Sequence, residues 1–438
     1  MGEINNWIKK TSGKCGGQHN GQIVLLVFVF VFSLKFFQST PFERPFFKLQ
    51  AVFLGIVLLF LMAYVLNILM KKNSVNRVVL YYLILITFLP FYSGLMAGAA
   101  FGQPILYGIL AERSWILVGV GVWFYYVVTN EKVYIEVIRS SFIFMAWASL
   151  IVFIVVILTY DTSQLTRVGE KLRSGLVSMS AIRGVRFKFQ NYFITFGTIY
   201  YFINHEIHKN VKHLVTLLLF LSYVVFVVQG RTYMLALAVT FLVYYWFNYP
   251  PSKLVIISIK LALFLLAALI AVHFLMPDYL DRMSYLFTEM FRVLTGTKSQ
   301  EYSANSRILQ SNIILQYFKV HPLSVWLGTG RVSHQWQGGY QSILGYFYPT
   351  DTGVLGGLFL YGIVGMIFIL AIPLAISIRT LRKVPQKGDV FIMALKYLLV
   401  FEIVRAAQGS YYFGIVSYVI PLFILMAYTT LEERLHVN

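Results

Sequence analysis

One short polar turn, Gln229, Gly230, Arg231 and Thr232, separates the apolar runs at 213–229 and 232–248. An arginine in that place supports two readings. Its long apolar stem lets it end a helical hairpin and snorkel to headgroups. Its planar, permanently charged fork also suits bidentate binding of phosphate or carboxylate. A second concentration of cations lies at 161–190, where Arg167, Lys171, Arg173, Arg183, Arg186 and Lys188 face only Asp161 and Glu170, a net +4. Such a segment either attracts anionic lipid headgroups or holds an anionic substrate. The groups that could carry protons are scattered Asp, Glu and His side chains. Glu402 and Arg405, at i and i+3, read as an internal ion pair, and Glu112 with Arg113 as an interfacial one. No Gly-rich phosphate loop, HExxH, GxSxG or Cys/His cluster with ligand spacing occurs, so the sequence offers no motif for a metal or other cofactor. The single cysteine, Cys15, cannot form an internal disulfide.

Such side chains have to be positioned by elements inside a bilayer. Of the 438 residues 58% are apolar or aromatic and 12% charged, with a mean hydropathy of +0.72. A soluble chain carries about a quarter charged residues, so a cytosolic enzyme or a nucleic-acid module is excluded. Apolar runs of bilayer length fall near 22–38, 50–70, 79–97, 114–129, 142–160, 191–204, 213–229, 232–248, 254–275, 352–378, 390–405 and 413–429. The expected fold class is therefore all-α, a polytopic membrane protein with about twelve transmembrane helices. Lys9, Lys10, Lys14, Lys71, Lys72, Arg77, Lys132, Arg139, Lys209, Lys212, Lys253, Arg379, Arg382, Lys383, Lys387 and Arg434 then share one side, and the net charge of +19 fits positive-inside loops beside anionic lipids rather than nucleic acid. Both termini are expected in the cytoplasm, with 161–190 and 276–350 outside.

The chain divides into a membrane part at 1–275, a large extracytoplasmic loop at 276–350 between spans nine and ten, and a second membrane part at 351–438. Within the loop, Pro277 at a helix start, then Leu280, Met283, Phe287, Met290 and Leu294, with Gly296 as a stop, predict an amphipathic helix on the membrane surface. A second helix is predicted from Asn305 to Val320, with Leu309, Ile313, Tyr317 and Val320 on its apolar face and His321–Pro322 ending it. The rest of the loop, rich in Gly and aromatics, reads as a cleft wall or an interfacial loop.

Four stretches carry a family resemblance: GRTYML at 230–235, NSRILQSNIILQYFKVHPLSVWLGTG at 305–330, TDTGVLGGLFLYGIVG at 350–365, and FGQPILYGILAERSW at 101–115. Together they resemble the O-antigen ligase and polysaccharide polymerase-like superfamily of membrane glycosyltransferases. Arg231, Arg307, Gly328, Gly330, Gly362 and Gly365 fall at the places of its arginine motif, its S-R, its H-P-L-x-G-x-G-like element and its G-x-x-G turn. Ligases of the family place a histidine eleven residues before the first glycine of that turn, and here the residue is Asp351. The resemblance therefore implies a polymerase of O-antigen, capsule or exopolysaccharide repeat units ahead of a ligase acting on lipid A core. A lipid-linked oligosaccharide flippase is the rival of another class.

The activity so implied is metal-independent transfer from a polyprenyl-pyrophosphate-linked oligosaccharide at the outer face of a bacterial inner membrane, with no cofactor. Membrane lipids and a chain-length regulator are its expected partners. Arginines would neutralise the leaving pyrophosphate: Arg231 first, then Arg307 and one or more of Arg167, Arg183 and Arg186. A general base for the acceptor hydroxyl would be Asp351, or His334 after it. The other reading of Asp351 is an N-cap of span ten.

Overall fold

A computed structural model describes residues 16–37, 43–71, 76–160, 166–168, 171–173, 177–180, 184–187, 189–255, 284–285, 288, 302–345, 347–385, 388–408 and 416–437. The first helices are α1 (Gly16–Ser33), α2 (Glu43–Lys71), α3 (Arg77–Phe101), the short α4 (Ile105–Ala111), α5 (Gly119–Thr129, entered through a 3-10 turn at Arg113–Val118) and α6 (Ile135–Thr159). Four short strands follow, β1 (Thr166–Val168), β2 (Lys171–Arg173), β3 (Val177–Ser180) and β4 (Gly184–Phe187). Then come α7 (Tyr192–His208), α8 (Val211–Tyr223, continued by a π turn at Val224–Val228) and α9 (Arg231–Asn248). The last part comprises α10 (Tyr302–Val320), α11 (Leu323–Leu327), α12 (Tyr340–Leu344), α13 (Val354–Met366), α14 (Ile372–Lys383), α15 (Val390–Gln408) and α16 (Val416–Val437).

Among the described residues, six stretches are helical, long and apolar enough to cross a membrane, seven if the pair bent by 42° at Glu112 counts as one. This supports a polytopic membrane protein without establishing twelve spans. The other described stretches expected to cross are helical too, but α7 is short and α15 carries Lys396, Glu402 and Arg405. The run at 254–275 lies almost wholly outside the described residues, as does the helix expected at Pro277–Gly296. Position in the bundle follows burial: only 17% of the apolar window of α2 is covered by protein, against 72% for α16. Leu59, Leu66, Leu69 and Met70 of α2 are exposed, as befits a lipid-facing helix, whereas α16 packs along α5, where Gly121 leaves room for the Phe423 ring.

Several of the basic residues gather at one end of the bundle. There Arg139 pairs with Asp389 at 3.3 Å, Lys383 with Glu433 at 2.7 Å, Arg434 donates to the Thr129 carbonyl, Gln22 to the Lys132 carbonyl, and Lys396 to the Val384 carbonyl. Helices α3 and α6 both rise from that end, so the segment 102–118 and the described strands β1 to β4 that follow them sit at the other.

The all-α expectation needs one addition, since 166–187 forms a four-stranded antiparallel sheet in the order β1-β2-β3-β4. Its register sets Thr166, Arg173, Ser178 and Arg186 in one cross-strand row and Arg167, Leu172, Met179 and Val185 in the next. Arg167 and Arg186 thus fall in neighbouring rows of the register, and their side chains lie outside the described residues. Arg183 lies outside the described residues.

Candidate functional site

The site forms where three stretches far apart in sequence meet: the re-entrant segment after α3, the glycine loop at 328–333, and the kinked start of α13. Helix α3 ends at Gly102, whose left-handed backbone donates to the Gly98 carbonyl. The chain then doubles back, and Gly108 of α4 lies so close to Gly94 of α3 that a Cβ would strike the Gly94 Cα. Gln103 at the turn receives the Ser333 N–H at 2.7 Å and donates to the Arg331 carbonyl at 3.2 Å. The fully buried α13 residues before the kink, Phe359, Leu360 and Tyr361, bring the other side.

The kink explains the glycines. Gly362 has φ +63 and ψ −177 inside an otherwise helical run, which breaks the hydrogen-bond ladder of the preceding turn. The released Phe359 and Leu360 carbonyls accept from the Thr329 and Gly330 N–H groups, each at 2.8 Å. Thr329 Oγ1 donates to Phe359 as well, and Tyr92 Oη to the Leu327 carbonyl at 2.6 Å. Gly328 and Gly362 pass backbone to backbone with no room for a Cβ on either, and a Cβ on Gly330 would overlap the Ser93 carbonyl oxygen. The family pattern puts a turn at Gly362–Gly365. Here the helix bends at Gly362 and runs on, through a π turn at Ile367–Ala371, to Lys383.

Under this junction lies Glu112, at 0% exposure. Its Oε1 accepts from Tyr361 Oη at 2.6 Å and from Ser93 Oγ at 3.1 Å, and its Oε2 faces Arg331 Nη1 at 3.4 Å. The ion-pair partner in the structure is thus Arg331, more than two hundred residues away, and not the adjacent Arg113 expected from sequence. Ser93 Oγ also accepts the Arg331 backbone N–H at 2.9 Å.

Arg113, Arg331, His334, Tyr340, Tyr348 and Thr350 line a cavity of about 430 Å³. Tyr340 is buried and donates to the Gly330 carbonyl at 2.5 Å, and burial holds its phenol far above its ordinary pKa, so it stays neutral. Asp351 follows the lining Thr350 within a 3-10 turn at Pro349–Thr352, and its N–H donates to the Tyr348 carbonyl. Partial burial raises the pKa of its carboxyl, and Arg307 of α10 acts in the opposite direction. The N-cap of α13 is Gly353, with no side-chain capping bond, so the structure does not give Asp351 that alternative role.

Helix α10 carries Arg307 into this neighbourhood, with the predicted face inward only in part, since Ile313 and Tyr317 pack against the core. Leu309 is 54% and Val320 72% exposed, while Gln310 and Ile314 are fully buried. Gln310 is tolerated inside because Oε1 accepts from the Tyr348 N–H and Nε2 donates to Ser306 Oγ. His321 stacks beside Tyr317, 4.6 Å between ring centres.

Arg231 opens α9, next to Gln229 in left-handed backbone, so the hairpin reading of the turn is met. The Arg231 side chain lies outside the described residues. Near it Tyr233 bonds the Asn191 carbonyl and Thr195 Oγ1 and meets Phe401 edge to face. Glu402 pairs with Arg405 at 3.5 Å as expected and accepts from Ser417 Oγ.

Among the expected site residues, His334 lines the cavity, Asp351 adjoins the lining Thr350, and Arg307 acts electrostatically on Asp351. Sequence reasoning missed Arg331 and misjudged Glu112. The available signal for Arg331 was its position directly after the G-T-G element. In comparisons with known proteins, no family model, no curated protein and no solved structure matches this chain.

Proposed function

We propose that this chain is a metal-independent membrane glycosyltransferase that polymerises polyprenyl-pyrophosphate-linked oligosaccharide repeat units at the outer face of a bacterial inner membrane. The observation that carries the reading is convergence. Two of the four stretches that resemble the superfamily, 101–115 and 350–365, line one cavity together with residues 331–349, and a third ends in Thr329 and Gly330, which dock on Phe359 and on the lining Leu360.

The chemistry follows from the side chains gathered there. An acceptor hydroxyl oxygen attacks the anomeric carbon of the donor sugar as the bond from that carbon to the pyrophosphate oxygen breaks. The electron pair leaves with pyrophosphate, whose growing charge arginines neutralise. The hydroxyl proton passes to Asp351, the first candidate base, or to His334. The activated bond is already in the donor, so no nucleotide enters. The aspartate at the place of the ligase histidine favours polymerisation over ligation.

Membranes containing the protein, given lipid-linked single repeat units from the same cell, should yield longer lipid-linked chains and free polyprenyl pyrophosphate without added nucleotide sugar. Unchanged single units would count against the proposal.

A further inference from the structure

We infer that Glu112 is a positioning residue: a buried carboxylate that holds the Arg331 guanidinium at the cavity wall, in register to meet a pyrophosphate group. The inference rests on the transferase reading for the identity of its ligand, but its geometry is independent of that reading.

Glu112 cannot itself act on a substrate, because it is fully buried and forms no part of the cavity lining, whereas Arg331 is partly exposed and does line it. Its two oxygens are used asymmetrically. Oε1 is anchored by two hydroxyls from different helices, Ser93 on α3 and Tyr361 at the kink of α13. Oε2 has no hydrogen-bond partner and is directed at Arg331 Nη1. Arg331 is fixed from behind as well, with its N–H on Ser93 Oγ and its carbonyl on Gln103 Nε2. The residue is therefore held at backbone and side chain by the re-entrant segment and α3. An arginine so immobilised loses little further freedom when an anion arrives, and a fork in a fixed plane selects for bidentate oxygens.

A purely structural ion pair predicts a different outcome from a positioning pair, and a double-mutant cycle separates them. The probe is inorganic pyrophosphate, titrated calorimetrically into the full-length protein in neutral detergent. Glu112→Gln keeps an acceptor for Ser93 and Tyr361 and removes the charge facing Arg331. Arg331→Lys keeps a cation beside Glu112 and removes the fork. Each single change should weaken pyrophosphate binding about tenfold or more, as loss of one good charge-assisted contact does. Glu112→Gln should change affinity less than about twofold when Lys already stands at 331, because its effect passes through the guanidinium.

Additive losses would overturn the inference, as would tighter binding by Glu112→Gln, which would make Glu112 an electrostatic brake. Absence of pyrophosphate binding by the unaltered protein would overturn it too. If Arg331→Lys fails to fold, Arg113→Gln, at an exposed position on the same wall, must still lower the affinity. Vesicles with and without phosphatidylglycerol separate the two sources of phosphate. Equal affinity in both supports a pyrophosphate site, and suppression by the anionic lipid makes a headgroup the occupant and overturns it. The titration needs neither sugar nor polyprenyl chain. Pyrophosphate binding that obeys the cycle in a protein inert on lipid-linked glycan would keep this inference and remove the transferase reading, and the reverse pattern would do the opposite.

Discussion

Asp351 carries the proton step in this account, so its titration sets the acid side of the pH profile. A base works as the carboxylate, and partial burial raises its pKa above the ordinary aspartate value of about 3.9. Activity should therefore fall with decreasing pH at a higher pH than an open aspartate would impose. Arg307→Gln removes the group that lowers that pKa, and should move the acid limb further up. Asp351→Asn, which has no helix cap to lose, should reduce turnover by ~10² to 10⁴ and abolish the limb. Near-normal turnover in Asp351→Asn would transfer the base role to His334. At this scale the sequence was legible where a residue acts through its neighbours in the chain, as Arg405 does with Glu402. It was not legible for Glu112, because the partner that decides its role is Arg331, and nothing local in either segment encodes their meeting.

The elements of the site are held by backbone contacts that only glycine permits. Gly330 has φ +68 and lies against the Ser93 carbonyl, whereas Gly345 has φ +72 with open space where a Cβ would go. Alanine at either position costs about 1–3 kcal/mol of backbone strain. Only at Gly330 must the loop also withdraw from α3 and carry Arg331 with it. Gly330→Ala should therefore lower the thermal midpoint of the detergent-purified protein more than Gly345→Ala, and lose pyrophosphate binding while Gly345→Ala retains it. Equal effects would mean that the loop is not docked as described. Helix 302–320 was legible from its periodicity, and its inward face in part, through Ile313 and Tyr317. Periodicity counts apolar residues, whereas the buried stripe includes Gln310, and Leu309 and Val320 can stay exposed at an apolar surface. The sheet strands do alternate, with Val177, Met179, Val185 and Phe187 set against Ser178, Ser180 and Arg186, but each strand is three or four residues long, too short a run to stand out as a strand in the sequence.

At the scale of the molecule, composition and charge placement carried most of the architecture. Arg139, Lys383, Lys396 and Arg434 gather at one end of the bundle, and the sheet, the Arg231 turn and the cavity lie at the other. The number of spans was less legible, because helices such as α7 and α15 are short or charged and find their place through packing rather than hydropathy. The proposed function requires the cavity end to face the side where lipid-linked glycans are presented, which makes surface glycan the most direct test of that proposal. Cells lacking the protein should carry surface glycan one repeat unit long, with full length restored by the unaltered gene and not by one encoding Asp351→Asn. Full-length chains retained on polyprenyl would indicate ligation instead, and full-length surface glycan in the deleted cells would contradict the account.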